Sequence, residues 1–295
     1  MAEVDSLRRF LFEGLQVRGE LVRLDEAWQR VLEYQDYPPA VRDLLGEALS
    51  AAVLLASTLK FEGMLTLQLQ GDGPLHLLVA QCTNEGVVRG LAKWQGETPA
   101  GDLGALTGDA RLAITIERGQ GKDRYQGIVP VAGASLAECL DNYFAGSVQV
   151  PTRLWLSADA KRSAGMLLQR LPESVNTDQR DGDDDWERLQ ILAATLKSHE
   201  LLELEHCELL QRLFHEDNVR LFEEQPIAFA CSCSRARVAN TLRMLGRDEI
   251  GQLIEERGGV EVRCEFCNRP YHFDAVDAEG IFVDAPESEG PPTLH

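Results

Sequence analysis

Long apolar runs are missing from this sequence of 295 residues. The longest candidate, residues 48–59, covers twelve residues, whereas a helix that spans a bilayer needs about 20. The first ten residues contain four charged side chains, and the apolar region of a secretion signal excludes such charges. Both absences predict a soluble protein that remains in the cytoplasm and has no membrane partner.

Basic residues are also scarce. Lysine and arginine together number 29 against 48 aspartates and glutamates, which gives a formal net charge of -19 at pH 7. A surface of this charge repels the phosphate backbone of DNA and RNA. The charge balance argues against a nucleic-acid partner, and it suits a protein that stays soluble while it exposes apolar surface.

The motifs of common enzyme classes are absent too. The sequence from Gly119 to Lys122 ends like a phosphate-binding loop, but Ile116 stands where that loop needs its first glycine. His199 and Glu200 are not followed by the second histidine of a zinc protease, because position 203 is Glu203. No Gly-X-Ser-X-Gly sequence occurs. We therefore predict that the protein is not an enzyme and uses no nucleotide.

Seven cysteines in a chain without a secretion signal indicate metal or redox chemistry rather than a disulfide framework. Cys82, Cys139 and Cys207 are scattered, and the other four lie between positions 231 and 267. Cys82 and Cys139 stand among apolar residues, which is typical of thiols in a protein core. We expect all three scattered cysteines to be dispensable for metal binding.

Hydrophobic periodicity in the first part of the chain predicts a mixture of helices and strands. Apolar residues recur at helical spacing over 41–59, after two prolines. Residues 65–69 alternate between apolar and polar, and a Gly-Asp-Gly-Pro turn leads to a second alternating segment at 75–79. Further strands are predicted at 87–92, 112–116, 125–129, 152–156 and 166–170, with a helix over 135–144 that Ser135 caps. Strands in a run, flanked by helices, predict an α+β fold with a mixed or antiparallel sheet.

Residues 176–185 contain five aspartates and no apolar side chain, which indicates a domain boundary. The leucine-rich stretch 201–214 predicts helices whose apolar faces need a partner, because short isolated helices are marginal in water. We expect three parts: an α/β core domain at 1–177, a metastable helical linker at 178–226 and a small cysteine-containing module at 227–287.

Two close cysteine pairs in this last module predict a four-thiolate zinc site. Cys231 and Cys233 are separated from Cys264 and Cys267 by thirty residues, and each pair presents two sulfurs from one local turn. The interval predicts two helices that end at Gly246 and at 258–259, followed by a strand that leads into the second pair. We expect one Zn²⁺ per reduced chain.

Several alternatives to this site stay open on the spacing alone. The metal of a small module is often purely structural, although Cys-X-X-Cys is also the spacing at which thiols and disulfides interconvert. A nucleic-acid ribbon is disfavoured because seven arginines meet seven acids over 226–274. His272 is an alternative ligand to one thiolate. His199, His206 and His215 are expected on polar helix faces, where a second metal site is a weaker hypothesis.

Along nearly its whole length the chain resembles the bacterial redox-regulated heat-shock chaperones of about thirty-three kilodaltons. The cysteine pattern and its interval are the specific part of this resemblance. The other matching stretches are FEGLQVRGEL (12–21), TLQLQGDGP (66–74), RYQG (124–127), GMLLQ (165–169) and RLFHE (212–216).

The resemblance implies an ATP-independent holdase that is inactive while its four thiolates hold Zn²⁺. Oxidants are then expected to form the disulfides Cys231–Cys233 and Cys264–Cys267 and to release the metal. The zinc module and the linker would unfold, and the core domain and linker would capture unfolding client proteins. The active form is expected to be a dimer of this chain.

Simple energetics favours the same behaviour. A structural Zn²⁺ contributes about 10–16 kcal/mol to the folding of a small module, whereas a whole domain is stable by only about 5–15 kcal/mol. Disulfides within the pairs close loops too short to restore that energy. Two other functions remain as alternatives: a static zinc-ribbon adaptor, and a thiol-disulfide oxidoreductase that uses Cys264 and Cys267.

Overall fold

The computed structural model describes residues 5–99, 101–118, 124–131, 133–172 and 182–283. By its internal contacts the chain divides after Ala230 into a large first unit and a small second unit. The first unit contains eleven strands among the described residues: β1 (Ser6–Phe12), β2 (Val17–Leu24), β3 (Gly63–Gln70), β4 (Leu75–Thr83), β5 (Val87–Trp94), β6 (Arg111–Arg118), β7 (Arg124–Pro130), β8 (Thr152–Ala158), β9 (Ser163–Arg170), β10 (Val219–Pro226) and β11 (Ala228–Phe229). Its helices are α1 (Glu26–Leu32), α2 (Pro39–Thr58), α3 (Leu103–Thr107), α4 (Leu136–Tyr143), which continues as a π-helical turn at Phe144–Val148, α5 (Gly182–Ala193), α6 (Ser198–Glu203) and α7 (His206–Phe214).

The strands form two sheets, and the predicted α+β fold is confirmed. One sheet is antiparallel with the order β10-β1-β2-β9-β8. The other has the order β11-β5-β4-β3-β6-β7 and is antiparallel except for the short β11–β5 pair. The five predicted strands from 87 to 170 all occur, as β5 to β9. The Ser135 hydroxyl accepts a hydrogen bond from the Glu138 N–H at 3.2 Å, which confirms the predicted cap of α4.

Helix α2 is the centre of the main core, and it packs against strands of both sheets. Its long central stretch is buried on all sides, because residues 48–56 are small or apolar throughout. Close approach requires glycine at two of the contacts. A Cβ atom on Gly46 would stand 2.5 Å from the Cβ of Ala158, and one on Gly165 would stand 2.8 Å from a methyl group of Leu54. At these two points the five-stranded sheet and the helix approach closely because a side chain is missing.

A second apolar cluster covers the opposite face of the five-stranded sheet. Helices α5, α6 and α7 pack there against β1, β2 and β9. The sheet contributes Phe10, Phe12, Val17, Leu21, Ala164, Met166 and Leu168, and the helices contribute Leu189, Ala193, Leu201, Leu202, Leu209, Leu210, Leu213 and Phe214. The rings of Phe12 and Phe214 meet edge to face at 5.0 Å. The amphipathic helices predicted after residue 185 thus have the apolar partner surface that they need.

The structure differs from the predicted helical linker over its last residues. Val219–Pro226 forms β10, which pairs with the edge strand β1. The partly buried Val219 and Leu221 alternate with exposed Arg220 and Phe222, so the segment has the period of a strand rather than of a helix. The predicted division at residues 177 and 226 remains a prediction about separable folding units.

The close approach at Gly46 generates a stability prediction. Gly46→Ala should lower the free energy of unfolding by about 1–3 kcal/mol, because its methyl group overlaps Ala158 in a packed core. Gly104→Ala in α3 is the matched control, since its Cβ meets nothing closer than 3.7 Å, and it should be neutral or stabilising by about 0.5 kcal/mol. Urea unfolding of both variants measures the two effects. Equal stability of the two variants would contradict this description of the core.

Candidate metal centre

The second unit is a small helix and hairpin module. Its described elements are α8 (Arg235–Leu245), α9 (Arg247–Arg257), β12 (Val260–Arg263), β13 (Pro270–Phe273) and α10 (Ala275–Val283). Its core contains six buried side chains: Leu242, Ile250, Tyr271, Phe273, Ala278 and Ile281. Cys233 and Cys264 are partly buried and pack against that core. The cysteines are therefore part of the hydrophobic packing of the unit as well as a potential metal site.

Both helices end at the predicted glycines, and the first begins at a serine cap. Ser234 caps α8 by accepting a hydrogen bond from the Arg237 N–H at 3.2 Å. Gly246, with a φ of 100°, separates the two helices, and Gly258, with a φ of 74°, ends α9 in the left-handed conformation. Strand β12 then runs directly into Cys264. Because the helices end at these glycines, the chain can turn back and bring the second cysteine pair next to the first.

The first cysteine pair lies in the irregular segment before α8, and the second lies in a turn. Between Cys231 and Cys233, the Ser232 hydroxyl accepts a hydrogen bond from the Arg237 guanidinium at 2.6 Å. The second pair occupies the turn between β12 and β13. There the N–H of Asn268 donates to the Cys264 carbonyl at 2.7 Å, and the Cys264 N–H donates to the Arg269 carbonyl at 3.0 Å. These bonds fix the backbone of the second pair and tie Ser232 of the first pair to α8.

The structure brings all four predicted cysteines together. Their sulfur atoms all lie within 4.8 Å of one another. Two separations between the pairs are 3.6 Å, from Cys231 to Cys264, and 3.4 Å, from Cys233 to Cys267. Four sulfurs at about 2.3 Å from a tetrahedral Zn²⁺ would stand about 3.8 Å apart. The thiols are free, and their spacing and donor type fit zinc.

The four thiols are not electrostatically equivalent. Burial opposes ionisation of Cys233, but hydrogen bonds from the Tyr271 hydroxyl and the neighbouring thiols outweigh it and lower its pKa to about 7. Burial raises the pKa of Cys231, and it raises that of Cys267 to about 12. Tyr271 was not singled out by the sequence, since only the pairing of β12 with β13 brings its hydroxyl within 3.1 Å of Cys233.

The remaining cysteines lie apart from this cluster. Cys82 and Cys139 are buried in the main core, as predicted. Cys207 is exposed on α7 and accepts a hydrogen bond from the Arg8 guanidinium at 3.4 Å. Within the described part of the chain, no other group of three or more cysteine, histidine or acidic side chains has the spacing of a metal site.

The four histidines considered from the sequence can also be placed, and His199 and His215 are exposed, as expected. His272 is exposed, and its Nε2 lies 3.4 Å from a carboxylate oxygen of Glu261. It is not part of the cysteine cluster. His206 was expected on a polar helix face, and this is wrong: only 3% of it is exposed. Burial, together with the positive charges of Arg23 and Arg8, lowers its pKa to about 4. The first turn of α7 faces the sheet, so His206 is enclosed along with the leucines that follow it.

No helix in the described ranges has both the length and the apolar character that a membrane span requires. Fold and site together define an α+β protein followed by a small module with a four-cysteine cluster. A family model described as Hsp33 protein matches residues 5–274. The chain belongs to the Hsp33 family.

Individual relatives agree with this assignment. A protein of Nitrosococcus oceani named 33 kDa chaperonin is 49% identical over 291 residues, which cover 99% of each chain. One of the same name from Methylobacillus flagellatus is 46% identical over 280 residues, covering 95% of this chain and 94% of the relative. The crystal structure of the 33 kDa chaperonin from Thermotoga maritima matches with a TM-score of 0.79 at 26% identity, covering 94% of this chain and 97% of the other.

The geometry predicts which cysteines bind metal. A chain carrying Cys82→Ala, Cys139→Ala and Cys207→Ser should retain one zinc per molecule by elemental analysis, because those thiols lie outside the cluster. Cys233→Ser should lose most of the bound zinc, because it removes one of four thiolate ligands. Loss of zinc from the triple variant, or full retention by Cys233→Ser, would contradict the assignment.

Proposed function

We propose that this protein is a redox-regulated, ATP-independent chaperone of the cytoplasm. It binds unfolding proteins and prevents their aggregation under oxidative and heat stress. The observation that carries the proposal is the four-thiol cluster in a separate small unit of an Hsp33-family chain. Relatives that align over almost the whole chain bear the name 33 kDa chaperonin.

In the resting protein, Cys231, Cys233, Cys264 and Cys267 hold one Zn²⁺ as thiolates. When bound, the ion supplies a fixed tetrahedral link between the two cysteine pairs and about 10–16 kcal/mol of folding free energy. That energy matters because the unit has few apolar side chains of its own. Six buried residues form its core, and a module of this size is marginal without a staple.

Oxidation removes this link. Two molecules of hydrogen peroxide accept four electrons from the four thiolates, two S–S bonds form, and four protons complete four molecules of water. Disulfides do not bind zinc, so the ion is released. We propose Cys231–Cys233 and Cys264–Cys267 as the products. In the folded unit, sulfurs of different pairs lie 3.4 Å and 3.6 Å apart. Local pairing is favoured once the unit unfolds, because closure entropy rises with loop length.

The linker, helices α5, α6 and α7, supplies the second part of the switch. These helices bury apolar side chains against the five-stranded sheet, and none exceeds twelve residues, so none is stable alone. The chain that follows them enters the zinc unit within two residues of β11. When that unit unfolds, we propose that the linker loosens and uncovers the sheet face for clients. The active form is a dimer, and clients bind to the first unit and the linker.

The main experiment follows zinc release, disulfide mapping and client aggregation in one peroxide titration. Zinc release, the two local disulfides and suppression of light scattering by a denatured client should rise together. Zinc and fold that persist under mild peroxide would favour a static zinc-ribbon adaptor instead. Catalytic turnover of a disulfide substrate would favour an oxidoreductase that uses Cys264 and Cys267. Dominant cross-pairs such as Cys233–Cys264 would contradict the proposed order of unfolding and pairing.

Loosening the linker should activate the chaperone without oxidation. Leu209→Ser and Leu213→Ser each remove a buried side chain from the contact between α7 and the sheet, at a cost of about 2–4 kcal/mol. The reduced, zinc-loaded double variant should suppress client aggregation, whereas the reduced wild type should not. Ile191→Ser is the matched control, because Ile191 is exposed on α5. A loosened linker, shown by hydrogen exchange, without chaperone activity would contradict this part of the proposal.

A further inference from the structure

The sulfurs of the cluster accept hydrogen bonds from two kinds of donor, backbone N–H groups and a side-chain hydroxyl. The backbone N–H of Cys233 donates to Cys231, and the backbone N–H of Arg269 donates to Cys267. Cys233 instead accepts from a side chain, the hydroxyl of Tyr271, at 3.1 Å. Backbone donors of this kind come with the turns that present the cysteines. The Tyr271 hydroxyl is the donor that a single substitution removes.

Three features of the second unit act on the Tyr271 hydroxyl: the hairpin register, the burial of its ring and a neighbouring cation. In the β12–β13 hairpin, Tyr271 stands opposite Val262, two residues before Cys264. Its ring is part of the small core, where only 9% of the residue is exposed. The positive charge of the Arg269 guanidinium also acts on the same hydroxyl. A hydroxyl donor under the influence of a cation is polarised, and it donates more strongly to the sulfur.

A hydrogen bond of this kind opposes oxidation of the sulfur that accepts it. Peroxide reacts when a sulfur lone pair attacks one peroxide oxygen: an S–O bond forms, the O–O bond breaks, and the departing hydroxide is protonated to water. A second thiolate then attacks the sulfenic sulfur, forms the S–S bond and displaces hydroxide. The first attack needs charge density on sulfur. A donor at 3.1 Å draws that density away and also occupies one direction of approach.

We propose that Tyr271 is a positioning residue that sets the oxidant threshold of the metal centre through its hydrogen bond to Cys233. This inference rests on the proposed redox function and names the regulation of that same site. Arg269 contributes to this role because its positive charge polarises the Tyr271 hydroxyl. The Cys233 sulfur then reacts slowly at low peroxide concentration. The centre is oxidised only when the peroxide concentration is high enough to compensate for the lower reactivity of this sulfur.

The test uses the full-length, zinc-loaded protein with Tyr271→Phe, which removes the hydroxyl and keeps the ring in the core. Zinc release under limiting peroxide, followed with a chromophoric chelator, should be about three- to tenfold faster than in wild type, the range that the net free energy of one ordinary hydrogen bond provides. Arg269→Gln should accelerate release by a smaller factor. In Co²⁺-substituted protein, Tyr271→Phe should shift the sulfur-to-cobalt charge-transfer band to longer wavelength, because the Cys233 thiolate becomes a stronger donor.

Two controls separate this effect from loss of stability. Phe273→Leu loosens the same core without removing the hydroxyl, and it should leave the cobalt band in place. Tyr125→Phe removes a hydroxyl that contacts Tyr143 in the first unit, and it should leave zinc release unchanged. Wild-type release rates in Tyr271→Phe would overturn the proposal, as would equal acceleration by Phe273→Leu with no band shift in Tyr271→Phe. If the wild type releases no zinc at any peroxide dose, the redox function itself fails, and the cobalt band still reports the hydrogen bond.

Discussion

The convergence of four sulfurs from two distant parts of the sequence is the contact on which the second unit depends. The pairs at Cys231–Cys233 and Cys264–Cys267 come within 4.8 Å of one another, and two of the sulfurs also pack on a core of six buried side chains. So small a core does not offset the chain entropy of a unit with three helices and a hairpin. A metal held by the four thiols would therefore supply folding energy, and any chemistry at the thiols changes the stability of the whole unit.

The first unit is built on the opposite principle. Its core surrounds α2, which is buried between two sheets and contains no metal-binding cluster in the part that the structure describes. The linker is intermediate in its source of stability. Helices α5, α6 and α7 are short and depend on one face of the five-stranded sheet, while α2 covers the other face. Strand β9 shows this arrangement directly, because Leu167 belongs to the main core and Met166 and Leu168 belong to the linker cluster. Removing the linker would leave β9 covered on one face and expose its other face, and the proposed holdase activity requires an exposed apolar surface of this kind.

The sequence predicts those features that depend on neighbouring residues. These local signals are the period of two in β3 and β4, the apolar run of α2, the glycines that end α8 and α9, and the interval between the cysteine pairs.

The features that the sequence did not predict depend on residues far apart in the chain. Strands β1 and β2 contain Arg8, Glu20 and Arg23, whose charges obscure the alternation, and Glu20 is buried because Ser57 donates to it and Arg9 pairs with it. Strand β10 pairs with β1 across some two hundred residues of chain, and no local pattern announces that pairing. Tyr271 belongs to the same class, since its contact with Cys233 exists only in the register of the β12–β13 hairpin.

The proposed switch places two demands on the same four atoms. The sulfurs must bind the metal tightly to keep the second unit folded, which favours strong thiolate donors. They must also react slowly at low oxidant concentration, which favours weak nucleophiles. Both properties rise with the charge on sulfur, so they cannot be adjusted separately by changing the ligands. A hydrogen bond to one ligand relaxes this conflict. It lowers the charge available for attack on peroxide, and the same bond joins the β12–β13 hairpin to the segment that contains Cys233. The contact that slows oxidation therefore also stabilises the folded unit, and a residue next to the metal ligands can tune a threshold that the ligands themselves cannot.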